Sequence, residues 1–528
     1  MPKQQTDYLI QLIKSLTKAE KRYFKLFVNR NQASEDILFL RLFELLDKQK
    51  NYDEALILRK IQGIKKRQLS NIKAHLYKQL LLCLRLLHRS QNQDIEIRER
   101  IDYAKVLYNK GLYRQSLEIL DKAKVRALHH EQHTLGLEIL EFEKLIESQY
   151  IPQRMNSRAE KLTEEADRLR HMVSRSHLFS NLALQLYSLY LKVGYVRSQK
   201  EYHFIREFFM SNLPKYDEES MSFYEKLYLY QSYCWFCMMT QDFLYYYRYA
   251  QKWVDLFQHN RKMMELETAL YLKGLNNLLT SLFLLWHHNK FAQVLSELEN
   301  LDISSNAKQA TNVQSLHQLF KSIHQINRHY MEGTFSDGLA LVPELVRIID
   351  QEVYLWDEHR VMVLYYKIAC LYFGSGDNEN AIHYLNLVIN KKSSDIRGDI
   401  QCFSRILCLI AHFELGNDIL VEYQIKSVYR FLIKMEDLHA VQQEILKFLR
   451  KLPRIQRSDL KAAFIRLRND LSKLRSAPFE RRPFLYLDII SWLESKIEGE
   501  TVQNITKRKF SNNYKPLSVS AAGLPSQD

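Results

Sequence analysis

The chain has 528 residues and a net charge of +15, and it contains only 13 glycines and 9 prolines. Average usage is about 7 % and 5 %, so these counts disfavour a sheet-rich or loop-rich fold, which needs many turn residues. No run approaches the roughly 18 consecutive apolar residues of a membrane span, and no secretory signal is predicted. The six cysteines are scattered, which is typical of buried free thiols in the cytoplasm.

The positive charge lies at the two ends of the chain. Residues 1–100 hold 21 Lys/Arg against 11 Asp/Glu, and residues 441–528 hold 17 against 9, whereas residues 101–440 hold 38 against 41. Basic ends favour an acidic partner, of which nucleic acid is one. The alternative is a protein whose helices carry solvated lysines and arginines.

Residues 1–93 are predicted to form a separate basic helical unit. Periodic apolar residues predict helices over 6–16, 34–48, 53–61 and 66–89. Between the first two, Thr17 and Glu20 have the spacing of a capping box, so a further helix should start near Lys18. The last helix contains the apolar run Leu80–Leu87, which we expect to pack against the rest of the protein.

The two last helices of this unit, with the turn at residues 62–64, have the apolar and glycine spacing of a helix-turn-helix. Arg59 departs from the pattern, because a small residue is expected where the helices cross. In such a motif, basic groups at the start of the second helix bind phosphates and amides read bases. The candidate nucleic-acid-binding residues are Lys65, Lys66, Arg67, Gln68, Asn71 and Lys73. The alternative is a hairpin whose exposed face is basic.

The stretch 99–124 predicts two amphipathic helices joined by a tight turn at Gly111. The small and aromatic residues Ala104, Gly111, Tyr113, Ser116, Leu120 and Ala123 occupy the positions of a tetratricopeptide repeat, and the stretch resembles that family. The resemblance implies a helical hairpin and a protein-binding or peptide-binding role. It carries no catalytic residue.

The same pattern recurs over residues 94–437, with a second clear copy at 366–390. Turn signals 40 to 48 residues apart fall at Gly111, Pro152, Gly194, Asp242, Asn289, Gly333, Gly376 and Gly416. A sustained period of this length is typical of a solenoid. The sequence therefore predicts an all-α fold, a superhelical array of antiparallel helix hairpins. Residues 438–498 would form a helical cap, and residues 499–528, which lack periodicity, a disordered tail.

Fourteen aromatic residues lie between Phe223 and Phe257. Three successive tyrosines cover three faces of a helix, so at least one should be exposed. Exposed tyrosines make good contact residues in a groove. The candidate partner-binding residues are Tyr230, Tyr233, Tyr245, Tyr246 and Tyr247. The alternative is bulky packing between neighbouring hairpins.

No phosphate loop, dinucleotide fingerprint or nucleophile elbow is present, so we predict neither enzymatic activity nor a cofactor. Cys234 and Cys237 lack the second cysteine pair that a zinc site would require. His129, Glu131 and His133 resemble the metal-binding helix of a zinc protease only in part, because the glutamate has the wrong spacing. They lie at a predicted boundary between hairpins, where polar residues are expected. Two hypotheses follow: a protein-binding or peptide-binding scaffold, or a nucleic-acid-binding regulator, since the layout resembles bacterial regulators that join a helix-turn-helix to tetratricopeptide repeats.

Overall fold

A computed structural model describes residues 8–29, 34–49, 52–61, 66–89, 92–149, 155–303, 311–391, 398–435, 440–452, 455–475, 480, 484 and 488–512. Within these ranges the regular elements are helices and no strand occurs, which confirms the all-α class. The chain divides into two compact units, residues 1–173 and 174–528. This division lies well beyond the predicted boundary at residue 93.

The first unit is built from short and medium-length helices. They are α1 (Tyr8–Ser15), α2 (Lys18–Asn29), α3 (Ser34–Lys48), α4 (Glu54–Lys60), α5 (Lys66–His88), α6 (Gln93–Asn109), α7 (Tyr113–His129), α8 (His133–Gln149) and the first part of α9 (Met155–Val193). Helix α2 begins at the predicted capping box, where the Glu20 N–H donates to Thr17 Oγ1 over 3.2 Å and the Thr17 N–H donates to Glu20 Oε2 over 2.7 Å. Ile13, Phe24, Phe43 and Leu76 belong to the core of α1–α5.

The hairpin α6–α7 forms as predicted. Gly111 takes a left-handed φ of +74°, and the Leu112 N–H donates to the Leu107 carbonyl across the turn. The hydroxyl of buried Ser116 donates to the Ala104 carbonyl over 2.7 Å. A small residue at position 116 therefore lets the two helices approach closely.

The second unit continues the succession of helices. After α9 it contains α10 (Gln199–Asn212), α11 (Phe223–Met239), α12 (Phe243–Gln258), α13 (Arg261–Leu266), α14 (Thr268–Leu284), α15 (His288–Glu299), α16 (Thr311–Glu332), α17 (Phe335–Gly338), α18 (Val342–Asp350), α19 (Glu358–Ser375), α20 (Asn378–Ile389), α21 (Gly398–Glu414), α22 (Asp418–Lys434), α23 (Ala440–Lys451), α24 (Arg457–Arg475), α25 (Ile489–Glu498) and α26 (Val502–Ser511).

Most predicted turns separate helices of this unit. The turns at Gly333, Gly376 and Gly416 have left-handed φ angles, as does the residue before Asp242. Asn289 is an exception, because it lies inside α15 and the turn comes earlier, at Trp286. Pro152 lies outside the described residues.

Consecutive hairpins of the second unit pack in two layers. The first helices α14, α16, α19 and α21 contact one another in that order. The second helices α12, α15, α20 and α22 each pack against the first helix of their own hairpin and of the next. Consecutive packing of this kind is what an α-solenoid array requires.

The predicted disordered tail is wrong for its first part, because α26 is a helix that packs on α16, α19 and α25. Gln503 Oε1 accepts from the Ser336 N–H over 2.8 Å, and the Phe510 ring contacts the His288 ring. Only Ile505 and Thr506 are buried, too few for an apolar period in the sequence. Residues 513–528 lie outside the described part of the chain.

Candidate interaction surfaces

The first turns of α5 present the predicted polar and basic groups to solvent. Lys66, Arg67, Gln68 and Asn71 are all exposed. Lys66 Nζ lies 3.7 Å from Glu54 Oε1, and its side chain remains largely accessible. Lys65 lies outside the described residues.

Lys73 differs from this group because it serves an internal contact. Its Nζ donates to the Tyr52 hydroxyl over 3.1 Å and lies 4.2 Å from the centroid of the Tyr52 ring. The lysine thus ties α5 to the segment before α4 by a hydrogen bond and a cation–π contact. It is part of the scaffold of the first unit.

The apolar second half of α5 is only partly packed, contrary to the prediction for Leu80–Leu87. Leu80 and Cys83 are buried, but Leu81, Leu82 and Leu86 are 45 %, 42 % and 41 % exposed. An apolar run longer than a few residues covers every face of a helix, so its length alone did not reveal which leucines would face solvent.

Three of the five candidate contact tyrosines are inaccessible, which contradicts their predicted place on an exposed groove. Tyr230, Tyr233 and Tyr246 are buried. The Tyr246 hydroxyl donates to Asn277 Oδ1 on α14 over 2.9 Å. A buried tyrosine needs such a partner for its hydroxyl, and here the partner belongs to the next hairpin.

Tyr230 and Tyr233 join a network around Lys252. The Tyr230 hydroxyl donates to Glu218 Oε1 over 2.5 Å, and Lys252 Nζ donates to the same carboxylate over 2.8 Å. The Tyr233 ring stacks on the Tyr249 ring with centroids 3.9 Å apart. Burial, followed by the hydrogen bond to Glu218, raises the pKa of Tyr230 well above its ordinary value.

Tyr245 and Tyr247 are partly exposed, as expected for a run of three tyrosines, but Tyr247 also serves packing. Its hydroxyl accepts from Lys290 Nζ over 2.5 Å. The Tyr224 hydroxyl likewise donates to Glu267 over 2.7 Å. Each bond joins residues 43 positions apart, within the range of spacings predicted for the repeat. The tyrosine-rich segment therefore mainly connects neighbouring hairpins.

The histidine and cysteine motifs do not assemble a reactive centre in the described structure. Helix α7 ends at His129, α8 begins at His133, and Glu131 lies in the turn with a φ of +57°. Cys234 and Cys237 are buried in α11, and burial raises the pKa of both thiols. Among the described residues, no group of three or more His, Cys, Asp or Glu side chains could hold a metal ion.

An apolar surface that sequence reasoning missed lies on α22. Ile419 and Tyr423 are 89 % and 79 % exposed, and Ile433 and Tyr429 are 51 % and 44 % exposed. The opposite side of α22 is also apolar and is buried, through Val421, Ile425, Val428 and Leu432. A helix needs only one apolar stripe to pack against its neighbours. The second apolar stripe of α22 therefore indicated, already in the sequence, that an apolar surface would be exposed.

A comparison with known protein families, curated proteins and solved structures found no match for this chain. None of the described helices combines the length and the apolar character that crossing a lipid bilayer requires.

Proposed function

We propose that the protein is a non-enzymatic scaffold of the tetratricopeptide-like kind, which binds another protein through the solvent face of α5. The exposure of Leu81, Leu82 and Leu86 on consecutive turns carries this proposal. Contiguous exposed apolar surface is a mark of protein interaction sites. If α5 had only a structural role, burying these leucines would stabilise the fold more than exposing them does.

The charges around these leucines indicate the chemistry of the partner. Lys78 and Arg85 are exposed on the same half of α5, and Arg89 is exposed directly after its last residue. Arg85 Nη2 lies 3.2 Å from Asp102, and Arg89 pairs with Glu99, so both hold α5 to α6. A partner helix with apolar residues on one side and carboxylates beside them fits this surface, because Lys78, which forms no ion pair among the described residues, steers an acidic segment toward the leucines.

The thiols favour a reducing compartment such as the cytoplasm. None of the six cysteines forms a disulfide, and five of them are buried. A chain whose thiols are all reduced suits a cellular location where thiols stay reduced.

The test uses the full-length protein, tagged, in cells that naturally express it. We would identify the proteins that the parent captures and the variant Leu81→Ser/Leu82→Ser/Leu86→Ser does not. Each would then be purified, and its binding to the parent and to the variant would be titrated. We expect a purified partner to bind the parent at least tenfold more tightly. Leu178→Ser/Leu184→Ser removes two exposed leucines of α9 and serves as the matched control. The proposal fails if no captured protein binds when purified, or if both variants bind equally well.

A second candidate function is nucleic-acid binding, favoured by the exposure of Lys66, Arg67, Gln68 and Asn71 at the start of α5. Phosphate contacts release counterions, so the logarithm of the binding constant should fall linearly with the logarithm of salt concentration. Lys66→Glu/Arg67→Glu should reduce that slope by roughly 0.9 for each phosphate that these side chains neutralise in the parent. Binding to mixed DNA and RNA fragments measures it, and an unchanged slope would exclude this face.

A further inference from the structure

Helix α22 differs from the helix that occupies the equivalent place in the preceding hairpin. The exposed side of α20 carries Glu379, Asn380, His383 and Asn386, and its one large exposed apolar residue is Leu387, at 36 %. Both helices pack against the first helix of their own hairpin and of the next. Since the same packing leaves α20 polar outside, the outer apolar stripe of α22 is not a requirement of the array.

The exposed side of α22 has an ordered charge pattern at four-residue intervals. Asp418 and Glu422 lie in its first half, followed by Lys426, Arg430 and Lys434 in its second half. All five residues are exposed, and within the described part of the chain none of them forms an ion pair. The charges are therefore free to meet groups outside the molecule.

The pattern is complementary to itself when one copy is turned end for end. When the two copies are centred on Lys426, a residue a given number of positions before Lys426 in one copy is level with the residue the same number of positions after it in the other copy. The reason is that each residue advances both helices by the same 1.5 Å. Ile419 then comes level with Ile433 of the second copy, Glu422 with its Arg430, and Asp418 with its Lys434, so apolar residues lie beside apolar residues and acidic residues at the height of basic ones. A parallel arrangement would instead set each charge against its own kind.

We propose that two copies of this chain associate through α22, packed antiparallel about a two-fold axis at Lys426. An interface formed by one patch on both subunits is the commonest arrangement of soluble homodimers. Lys426 meets its own copy at the axis, and its long side chain reaches solvent beside the seam. This self-association goes beyond the proposed scaffold function and does not depend on it.

Sedimentation equilibrium of the full-length protein tests association. We expect a reversible doubling of mass with rising concentration. Ile419→Ser/Tyr423→Ser should raise the dissociation constant at least tenfold, since it removes the two most exposed apolar residues of the face. Leu387→Ser on α20 is the matched control and should leave it unchanged. A parent that stays monomeric up to its solubility limit overturns the proposal.

A charge exchange tests the antiparallel arrangement. Glu422→Arg places Arg against Arg430 of the second copy, and Arg430→Glu places Glu against its Glu422, so each single variant should weaken the dimer. The double variant Glu422→Arg/Arg430→Glu restores opposite charges in both pairs and should recover most of the parent affinity. A double variant weaker than both single variants contradicts the proposed register.

A crosslink tests the position of the axis. Lys426→Cys puts a thiol beside its own copy, so a short bismaleimide should join two chains covalently in high yield. His383→Cys also introduces a thiol at an exposed position, on α20, and should not be crosslinked above the level of the parent. Equal yields from the two variants would mean that the chains meet by random collision, and they would overturn the proposed axis.

Discussion

Helices α12 and α22 are the second helices of their hairpins, yet they use tyrosine in opposite ways. In α12, Tyr246 is buried and bonded to the next hairpin, and Tyr247 is bonded to α15. In α22, Tyr423 and Tyr429 face solvent, while aliphatic residues fill the packed side. The contrast teaches that the side of the helix, and not the residue type, decides whether a tyrosine connects repeats or presents a surface.

The largest expected effect is the difference in stability between two variants, each of which truncates one tyrosine, in α12 and in α22. Tyr246→Ala should lower the free energy of unfolding by about 3–5 kcal/mol, because it leaves a cavity where a large ring was buried. It also removes the hydroxyl that donates to Asn277 Oδ1. Tyr423→Ala should change the free energy of unfolding by less than about 0.5 kcal/mol, since the side chain is exposed.

Urea unfolding below the concentration at which α22 would associate measures both variants. Tyr246→Phe separates the ring from the hydroxyl and should cost about 1 kcal/mol, the usual value of one hydrogen bond. If Tyr246→Ala and Tyr423→Ala cost the same, the distinction between connecting and surface tyrosines is lost.

The sequence predicted local structure well wherever local chemistry determines it. The bounds 34–48 of α3 match those observed, and the Thr17 capping box starts α2 at Lys18. Gly111, Gly376 and Gly416 all adopt the left-handed conformation that ends a helix. These features depend on neighbours within about four residues, which a single sequence displays directly.

Exposure could not be predicted in the same way, because it depends on which helices pass nearby. Leu80 and Leu81 are adjacent and chemically identical, but one is buried and the other is not. The burial of Tyr246 requires α14, whose Asn277 lies 31 residues further along the chain. Helix α26 docks through Gln503 on Ser336, in the first turn of α17 and 167 residues earlier in the chain, a relation that no local pattern encodes.

A second comparison of like residues concerns Glu143 and Glu141, both on α8. Glu143 is fully buried with Lys124 Nζ at 2.7 Å, and burial raises the pKa of its carboxyl to about 7. The folded protein therefore holds a proton between about pH 4.5 and pH 7 that the unfolded chain has lost. The free energy of unfolding should fall by about 3 kcal/mol as pH rises through this window, and level off above pH 7.

Glu143→Gln should remove this part of the pH dependence, because an amide does not titrate. Urea unfolding at pH 5 and pH 8 measures it against the parent. The control is Glu141→Gln, whose carboxylate is exposed and pairs with Lys144 over 2.8 Å; this variant should keep the pH dependence of the parent. A Glu143→Gln protein that still loses as much stability as the parent would show that other groups titrate.

The smallest expected effect is the difference in stability between alanine variants of two glycines. This difference reports on the docking of α26. Gly333 and Gly416 both end helices with left-handed φ angles, +68° and +73°. A Cβ on Gly416 would meet no heavy atom within 4 Å, whereas one on Gly333 would lie 2.9 Å from the Thr506 carbonyl carbon and 3.0 Å from the Gln503 carbonyl oxygen. Alanine at either position costs roughly 1–2 kcal/mol of backbone strain.

Gly333→Ala should cost about 1–3 kcal/mol more than Gly416→Ala, the usual penalty for forcing atoms into a packed contact. The excess should appear as faster hydrogen exchange in residues 502–511, because α26 must move away from the turn. Deleting residues 500–528 should abolish the difference between the two alanine variants. If that difference persists in the truncated protein, it arises within the turn itself, and α26 has no part in stabilising the hairpins beneath it.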